Sequence, residues 1–201
     1  MNAYYKLGFF FILFISLILG CSSESQKIQL THDSVILAFG DSLTKGTGAR
    51  IVDSYPNNLQ EILGLTVLNK GIPGETSSNG IKRLAQLLAS TSPDLVILCH
   101  GGNDILKRLS LSTLENNLAQ MIELIQSHGA EIILVGVPRP SINLSALPLY
   151  EKLANEYILV SDLTSLSDLL EKPSMKSDTV HLNANGYREL AVNIATKIEV
   201  I

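Results

Sequence analysis

Five short apolar segments, separated by stretches long enough to hold a helix, constrain the fold of this chain more than any other feature of its sequence. In chain order they read SVILAF, LTVLN, DLVILC, EIILVGV and YILVSD. Runs that are apolar at nearly every position are typical of parallel strands covered on both faces. Their alternation with helical segments predicts an α/β fold, a three-layer α/β/α sandwich around a parallel five-stranded sheet with right-handed connections.

Several of the intervening segments carry helix signals. Ser112 and Glu115 form a capping box that predicts the start of the longest helix. Asn183 is predicted to cap the last helix, and Thr76 or Ser77 the helix before the third strand. The longest predicted helix has one apolar stripe, which indicates a face packed on the sheet; the stripe consists of Leu114, Leu118, Met121, Ile122 and Ile125.

The first 20 residues have the features of an export signal. A single charge at Lys6 precedes about 13 nearly continuous apolar residues, too few to span a bilayer as a helix. The sequence ILGC, which ends at Cys21, resembles a bacterial lipobox, in which the cysteine is lipidated and becomes the first residue of the mature protein. We therefore expect residues 1–20 to be a lipoprotein signal peptide and Cys21 to be the lipidation site. A cleaved signal with an incidental cysteine and a short uncleaved anchor are the alternatives.

The segment after the signal is polar. Residues 21–33 contain few apolar side chains and are predicted to form a flexible tether between the lipid anchor and a folded domain. Residues 34–201, about 170 residues, are enough for one domain of ordinary size. We expect the protein to be lipid-anchored to a membrane of the bacterial cell envelope, in the periplasm or on the outer surface.

Charge and cysteine content narrow the classes of partner. The 201-residue chain has 15 basic and 19 acidic side chains, and loss of Lys6 with the signal leaves 14 basic ones. A net negative charge repels phosphate backbones, so nucleic acid is not an expected partner. If Cys21 carries lipid, Cys99 has no cysteine to pair with. Its place at the end of an apolar strand predicts a small buried side chain.

The candidate functional residues follow the predicted strands. Ligands of such sheets bind beyond the carboxyl ends of the strands, so Ser42, the HGGND loop and the SDTVHLN loop are predicted to meet at one edge. A serine hydroxyl becomes a strong nucleophile when an imidazole takes its proton and a carboxylate orients that imidazole. Asp178 and His181 supply such a pair. Each feature alone has a plainer explanation: a helix N-cap for Ser42, and chance or a surface ion pair for Asp178 and His181.

Two glycine-rich loops offer donors for the oxyanion of a tetrahedral intermediate. Asn103 in the HGGND loop carries a carboxamide, and Gly74 in GIPGETS has no side chain to obstruct its N–H. A turn with positive φ at Gly74 and an Asx-turn at Asn103 are the alternatives if either loop is considered alone.

Four segments of the chain resemble a known family in order and spacing. FGDSLTKG, NKGIPGETS, HGGND and SDTVHLN look like the signature blocks of the SGNH hydrolases, also called GDSL-type esterases and lipases. The resemblance covers nearly the whole predicted domain and is greatest to small bacterial arylesterases, acyl-CoA thioesterase I and lysophospholipases. It implies a flavodoxin-like sheet and a reaction that needs no cofactor or metal.

The resemblance also assigns roles to individual residues. It implies that Ser42 is the nucleophile, His181 the general base and Asp178 its carboxylate partner. The N–H groups of Ser42 and Gly74 and the amide of Asn103 would form the oxyanion hole. The implied function is a serine esterase that hydrolyses small-molecule acyl esters or thioesters, such as aryl esters, short-to-medium acyl thioesters or lysophospholipids, through an acyl-enzyme.

Some residues depart from the family pattern. Glu75 stands where an aspartate is common, Pro73 precedes the predicted oxyanion glycine, and His100 precedes the two glycines before Asn103. The segment VPRPSINLSALPLYEKL, which borders the acyl pocket in this resemblance, is the least family-like. Substrate choice therefore stays open. A carbohydrate O-acetyl esterase and a non-catalytic surface lipoprotein that binds a ligand are alternative functions.

Two other enzyme classes fit the sequence less well. An α/β-hydrolase requires Gly-x-Ser-x-Gly, whereas the chain reads Gly-Asp-Ser-Leu-Thr around Ser42. A metallophosphoesterase needs several carboxylate and imidazole ligands that converge, but the loop here reads Gly-Asn-Asp rather than Gly-Asn-His. The candidate ligands for such a metal site are His32, Asp33, Asp41, His100, Asp104, Asp178 and His181.

Overall fold

The main sheet has five parallel strands, in agreement with the sequence. A computed structural model of the chain describes residues 27–140 and 144–201. The strands are β2 (Val35–Gly40), β3 (Thr66–Gly71), β4 (Leu95–Cys99), β5 (Glu131–Val135) and β6 (Val160–Asp162), in the spatial order β3-β2-β4-β5-β6. This is the flavodoxin-like order, in which the chain reverses direction across the sheet between β3 and β4. The predicted fold class is confirmed.

Helices cover both faces of the sheet. The helices are α1 (Ser42–Lys45), α2 (Tyr55–Leu63), α3 (Ser77–Thr91), α4 (Gly102–Leu106), α5 (Leu111–Ser127), α6 (Pro148–Glu156), α7 (Ser165–Glu171) and α8 (Ala184–Ala195), with short 3₁₀ turns at Ile51–Asp53 and Pro173–Met175. On one face α2 packs against α8, which also contacts α7, and on the other α5 contacts both α3 and α6. This arrangement is the three-layer sandwich expected from the alternation of segments.

The core lies between the sheet and the two helical layers. Every residue of β4 is buried, including Cys99, whose thiol is free. The five stripe residues of α5 are fully buried as well, which confirms the predicted inward face of that helix. Each buried aliphatic side chain stabilises the folded state by about 1.5–3 kcal/mol relative to an exposed one. This packing therefore holds in place the edge of the sheet from which the functional loops extend.

The cap predicted for the last helix is confirmed, and the cap predicted for the longest helix is wrong. Asn183 caps α8 by accepting from the Gly186 N–H at 3.0 Å, as predicted. The capping box predicted from Ser112 and Glu115 is wrong, because α5 begins two residues earlier and Ser110 accepts from the Thr113 N–H at 3.2 Å. A run of three possible cap residues within four positions leaves the first turn ambiguous in the sequence.

A second, two-stranded sheet lies at the amino ends of the main strands. In it β1 (Ile28–Leu30) pairs in parallel with β7 (Ile198–Val200). Ile28 and Leu30 are buried, so the flexible tether predicted for residues 21–33 is wrong from Ile28 onward, and the domain begins before residue 34. The alternation of two apolar residues around Gln29 is too short a signal in sequence, and the partner strand lies at the far end of the chain.

The remaining N-terminal predictions concern residues outside the described part. Residues 1–20, Cys21 and the first part of the proposed tether lie there. Among the helices within residues 27–140 and 144–201, none combines the length and the apolar character that crossing a bilayer requires.

Candidate active site

Ser42 stands where β2 gives way to α1, beside the point at which strand order reverses. Asp41 caps α1 by accepting from the Leu43 N–H at 3.1 Å, which leaves Ser42 as the first helical residue. The turn requires a glycine at position 40, since a Cβ there would lie 2.0 Å from the Cys99 carbonyl oxygen. The close approach of β2 to β4 therefore fixes the backbone immediately before Ser42.

His181 reaches Ser42 from the loop that precedes α8. Its Nε2 lies 3.0 Å from Ser42 Oγ, and its Nδ1 lies 2.8 Å from Asp178 Oδ2. A carboxylate only accepts hydrogen bonds, so Nδ1 carries the proton and Nε2 is left to accept from the serine hydroxyl. The three side chains thus form a continuous hydrogen-bonded chain in the order that proton transfer from Ser42 requires.

The Asp178 carboxylate also organises its own loop. Its Oδ1 accepts from the N–H groups of Val180 and His181, each at 2.8 Å. Partial burial raises the pKa of Asp178, but these N–H groups and the His181 ring together lower it below its usual value. The carboxylate therefore stays charged, and the same residue fixes both the position and the tautomer of His181.

Asn103 joins the site from α4. Its Nδ2 donates to the Glu75 carbonyl oxygen at 3.0 Å and to Asp41 Oδ2 at 3.3 Å. Asp41 is buried, and burial raises its pKa, although His100 and the backbone N–H groups of Leu43 and Gly102 act in the opposite direction. Asp41 thus links the Ser42 turn to the HGGND loop. Its position in the sequence did not reveal this role.

Gly74 lies beside the pocket rather than in its lining. It occupies an exposed turn with φ +80°, one residue before the Glu75 whose carbonyl holds Asn103. A Cβ at this position would meet nothing within 4 Å. The need for glycine here therefore comes from the left-handed backbone and not from crowding.

A buried ionic network lies beneath this turn, and the sequence did not predict it. Arg83 from α3 binds the Glu75 carboxylate through Nε at 2.7 Å and Nη2 at 2.6 Å. Its Nη2 also donates to the carbonyl oxygens of Gly40 and Lys70. Arg83 thus ties the Glu75 turn to the ends of β2 and β3, and its guanidinium stacks over the Phe39 ring at 4.1 Å.

His100 completes the network from the end of β4. Its Nε2 lies 3.2 Å from Glu75 Oε2, and its Nδ1 accepts from the Gly101 N–H at 2.9 Å. The ring fits because position 80 is glycine, where a Cβ would lie 2.5 Å from Nε2. Burial raises the pKa of Glu75, yet the hydrogen bonds from His100 and Arg83 and the charge of Arg83 lower it to about 2.

A pocket opens at Ser42 and His181, with about 460 Å³ of empty space that includes open solvent at its mouth. Its polar lining residues are Asp41, Ser42, Asn103, Thr179 and His181, and most of the remaining wall is apolar. The apolar lining consists of Leu43, Leu106, Val137, Pro138, Pro140, Leu144, Leu170 and Val180.

The structure confirms the predicted meeting of the loops. Ser42, Asn103, Asp178 and His181 come together at the carboxyl edge of the sheet, although 139 residues separate Ser42 from His181. The metal-site alternative receives no geometric support. Within residues 27–140 and 144–201, no three or more histidine, cysteine, aspartate or glutamate side chains are grouped so as to hold a metal ion.

Comparison with known proteins identifies the family. The model of the GDSL-like Lipase/Acylhydrolase family matches residues 38–189, which include Ser42, Asn103, Asp178 and His181. The chain therefore belongs to this family of SGNH hydrolases.

Individual relatives are esterases and thioesterases by name. The chain is 37% identical to an arylesterase of Vibrio mimicus over 110 residues, 52% of this chain and 55% of that one. It is 33% identical to esterase TesA of Pseudomonas aeruginosa over 129 residues, 62% and 64% of the two chains. The matched segments thus span less than two thirds of these two relatives. Thioesterase 1/protease 1/lysophospholipase L1 of Escherichia coli K12 is 27% identical over 82% of this chain and 83% of that one.

Solved structures share the fold. A crystal structure of TesA superposes with a TM-score of 0.73 at 26% identity, covering 81% of this chain and 97% of that one. AlinE4, an SGNH-hydrolase family esterase, superposes with a TM-score of 0.65 at 30% identity, covering 83% and 95%. The similarity therefore extends over nearly the full length of both solved proteins.

Proposed function

We propose that the protein is a serine esterase that hydrolyses small-molecule carboxylic esters or thioesters through an acyl-enzyme. The observation that carries the proposal is the hydrogen-bonded chain from Ser42 Oγ through His181 to Asp178, with contacts of 3.0 and 2.8 Å. The family and the names of the relatives support the same class of reaction.

In the acylation step, Ser42 Oγ attacks the ester carbonyl carbon while His181 Nε2 takes the hydroxyl proton. Asp178 stabilises the resulting imidazolium. Collapse of the tetrahedral intermediate breaks the bond to the alcohol or thiol, which leaves with the proton from His181. In the deacylation step, a water molecule gives a proton to His181 and attacks the acyl-serine carbonyl. The bond from the acyl carbon to Ser42 Oγ then breaks, His181 returns the proton to Oγ, and the carboxylic acid leaves.

The negative charge on the intermediate requires donors on the opposite side of the carbonyl. The Ser42 N–H lies in the first turn of α1, where helix N–H groups have no intrahelical acceptor. Asn103 Nδ2 has one short bond to the Glu75 carbonyl and one longer contact with Asp41, and we assign the proton of the longer contact to the substrate oxygen. The Gly74 N–H is the third proposed donor, from the adjoining turn.

The pocket favours an apolar acyl group. Leucine, valine and proline side chains make up most of its wall, and polar groups are concentrated near Ser42. A short-to-medium acyl chain satisfies this lining, in keeping with arylesterase and thioesterase relatives. A carbohydrate acetyl ester presents many hydroxyls, for which the apolar wall offers few partners. Aryl esters, acyl thioesters and lysophospholipids are therefore the proposed substrate classes.

The test combines active-site labelling with a substrate panel. A fluorescent phosphonate should label the wild-type chain and leave Ser42→Ala unlabelled, while both proteins unfold at the same temperature. Aryl esters and thioesters of increasing chain length, together with an acetylated oligosaccharide, then define the substrate. Absence of labelling with no hydrolysis of any member would favour a non-catalytic binding protein instead.

We also propose that the protein is held at a membrane of the bacterial cell envelope by lipid on Cys21. The lipobox-like sequence ILGC supports this proposal. Growth of an expressing bacterium with an alkyne-tagged fatty acid should label the wild-type chain and not Cys21→Ser. Equal labelling of the two proteins would exclude this residue as the anchor.

A further inference from the structure

Exposed apolar side chains are concentrated around the catalytic edge. Of the ten large hydrophobic residues exposed in the described part of the chain, six lie in the segments that follow the carboxyl ends of β2, β3 and β4, within short helices, at the start of α5 or in the connections between them. Isolated exposed apolar residues need no explanation, but their accumulation after these strand ends, with Leu106 lining the pocket itself, indicates an interaction surface. The six are Ile51, Val52, Ile72, Leu106, Leu109 and Leu111.

Three of these leucines belong to one segment, residues 105–111, which runs from the last two residues of α4 through the connection to the first residue of α5 and which we call the docking loop. Leu106, Leu109 and Leu111 are between 43% and 49% exposed. Backbone hydrogen bonds hold the loop: the Arg108 N–H donates to the Ile105 carbonyl and the Leu109 N–H to the Asp104 carbonyl. The leucines are thus displayed by an ordered backbone at the end of α4.

The docking loop is positively charged although the chain as a whole is not. It contains Lys107 and Arg108 and no acidic residue, whereas the whole chain has a formal net charge of −4. Arg139, on the neighbouring loop of residues 137–140, is exposed and adds a third positive charge without an acidic neighbour in that loop. This part of the rim therefore attracts anions that the rest of the surface repels.

The docking loop is continuous with the active site. Leu106 lines the pocket together with Pro138 and Pro140. Lys107 Nζ donates to the Gly74 carbonyl oxygen at 3.0 Å, so the loop also touches the proposed oxyanion turn. A molecule bound on the docking loop would therefore lie at the entrance of the pocket.

We propose that the docking loop binds the catalytic edge to an anionic lipid surface. Leucines alternating with cations suit such a surface, since the cations pair with phosphate head groups while the leucines enter the acyl region. A soluble phosphate compound would use the cations and leave the leucines in water. The use of this surface rests on the proposed function: ester lipids at the interface would be presented directly to Ser42.

The absence of tryptophan from the sequence allows a local test. The chain has none, so a single introduced tryptophan reports only on its own surroundings. Leu111→Trp places the reporter in the docking loop, and Ile158→Trp places it at a matched exposed apolar site, 87% exposed, at the amino ends of the strands. The full chain is mixed with phosphatidylglycerol vesicles or phosphatidylcholine vesicles. Any contribution of the N-terminal apolar segment is the same in both variants.

The proposal predicts a blue shift of fluorescence for Leu111→Trp with phosphatidylglycerol vesicles, a smaller one with phosphatidylcholine, and none for Ile158→Trp. Adding Arg108→Asn should weaken vesicle binding about fivefold, the equivalent of about 1 kcal/mol for one basic residue at an anionic surface. Asparagine suits the left-handed backbone at position 108, where φ is +54°. The matched charge control is Lys82→Gln, on the exposed side of α3.

Three results would overturn the proposal: no shift for Leu111→Trp, an equal shift for Ile158→Trp, or an equal response to the two kinds of vesicle. None of these measurements needs catalysis, and they can be repeated with Ser42→Ala. Failure of docking is therefore distinguished from failure of the proposed function, which is judged by phosphonate labelling and hydrolysis of a soluble ester.

Discussion

The part of the chain that the structure describes contains two histidine–carboxylate pairs, and they differ in what surrounds them. In the buried pair, His100 and Glu75 are 0% and 7% exposed, and in the other pair His181 and Asp178 are 19% and 51% exposed. The second nitrogen of His100 is occupied by the Gly101 N–H, whereas that of His181 faces Ser42 Oγ. The chemical groups are the same, but only one pair presents an imidazole nitrogen to a nucleophile.

The difference shows that a histidine beside a carboxylate is not by itself a catalytic signal. Arg83 donates to the Glu75 carboxylate through both Nε and Nη2. The negative charge of Glu75 is therefore compensated without a charge on His100. The buried pair fixes the turn whose carbonyl holds Asn103. We propose that the exposed pair takes part in proton transfer and that the buried pair positions the donor side of the site.

Replacing each of the two histidines in turn is the strongest test of the difference between the pairs. His181→Ala should lower kcat for a soluble ester by about four powers of ten or more, because the base is removed, while the unfolding temperature stays unchanged. His100→Leu should retain kcat within about tenfold, because Arg83 still holds Glu75. Comparable loss of kcat in the two variants would contradict the assignment.

Removing the donor that connects the two regions comes next in size. Asn103→Ala should lower kcat by about two to three powers of ten with little change in KM, because an oxyanion donor acts mainly in the transition state. Single-turnover kinetics with an aryl ester measures the effect. A selective rise in KM would indicate a binding role for Asn103 instead.

Glu75, the carboxylate of the buried pair, should contribute to the free energy of unfolding through its contact with Arg83. Glu75→Gln leaves the Arg83 guanidinium, which is 20% exposed, without a charged partner. We expect a loss of about 2–3 kcal/mol in the free energy of unfolding, somewhat below the usual cost of breaking a fully buried ion pair. Urea denaturation measures it. Asp178→Asn, in the exposed pair, is the matched control and should unfold close to wild type.

The free energy of unfolding should also depend on pH through Glu75 of the buried pair. The pKa of Glu75 is lowered to about 2 from 4.5. Its contribution to stability is therefore complete above about pH 4.5 and is lost as the pH falls toward 2. Glu75→Gln should lack this part of the acid transition. An identical acid profile of wild type and Glu75→Gln, followed by circular dichroism, would show that the pair does not act in this way.

The smallest effect is expected from the exposed bond to the oxyanion turn. Lys107→Met removes the donor to the Gly74 carbonyl and keeps the aliphatic stem. Because Arg83 holds the turn from below, kcat for a soluble ester should fall by less than about tenfold. A larger fall would mean that the surface contact, rather than the buried network, positions Gly74.

Much of the fold and the core of the site were predictable because their signals are local. Apolar runs mark the five strands, the polar segments directly after two of them contain Ser42 and Asn103, and the loop before the last helix contains Asp178 and His181. Parallel topology then forces these loops to one edge. Their catalytic roles stay a prediction until the variants above are measured.

The Glu75–Arg83–His100 network was beyond such reasoning. Its members come from a turn, a helix face and a strand end, and no periodicity links them. The only signal was that Glu75 and His100 both depart from the family pattern, and in the structure these two side chains contact each other at 3.2 Å. β1 was missed for a related reason, since its three residues pair with a strand about 170 positions away in the sequence.

The pairing of β1 with β7 can form only after residues 198–200 have been synthesised. Residues 28–30 leave the ribosome long before residues 198–200, so the backbone amides and carbonyls of β1 wait for their partner while the main sheet assembles. A nascent chain halted before residue 198 would contain every member of the Ser42–His181–Asp178 chain and still carry an open strand, available for pairing with a neighbouring copy.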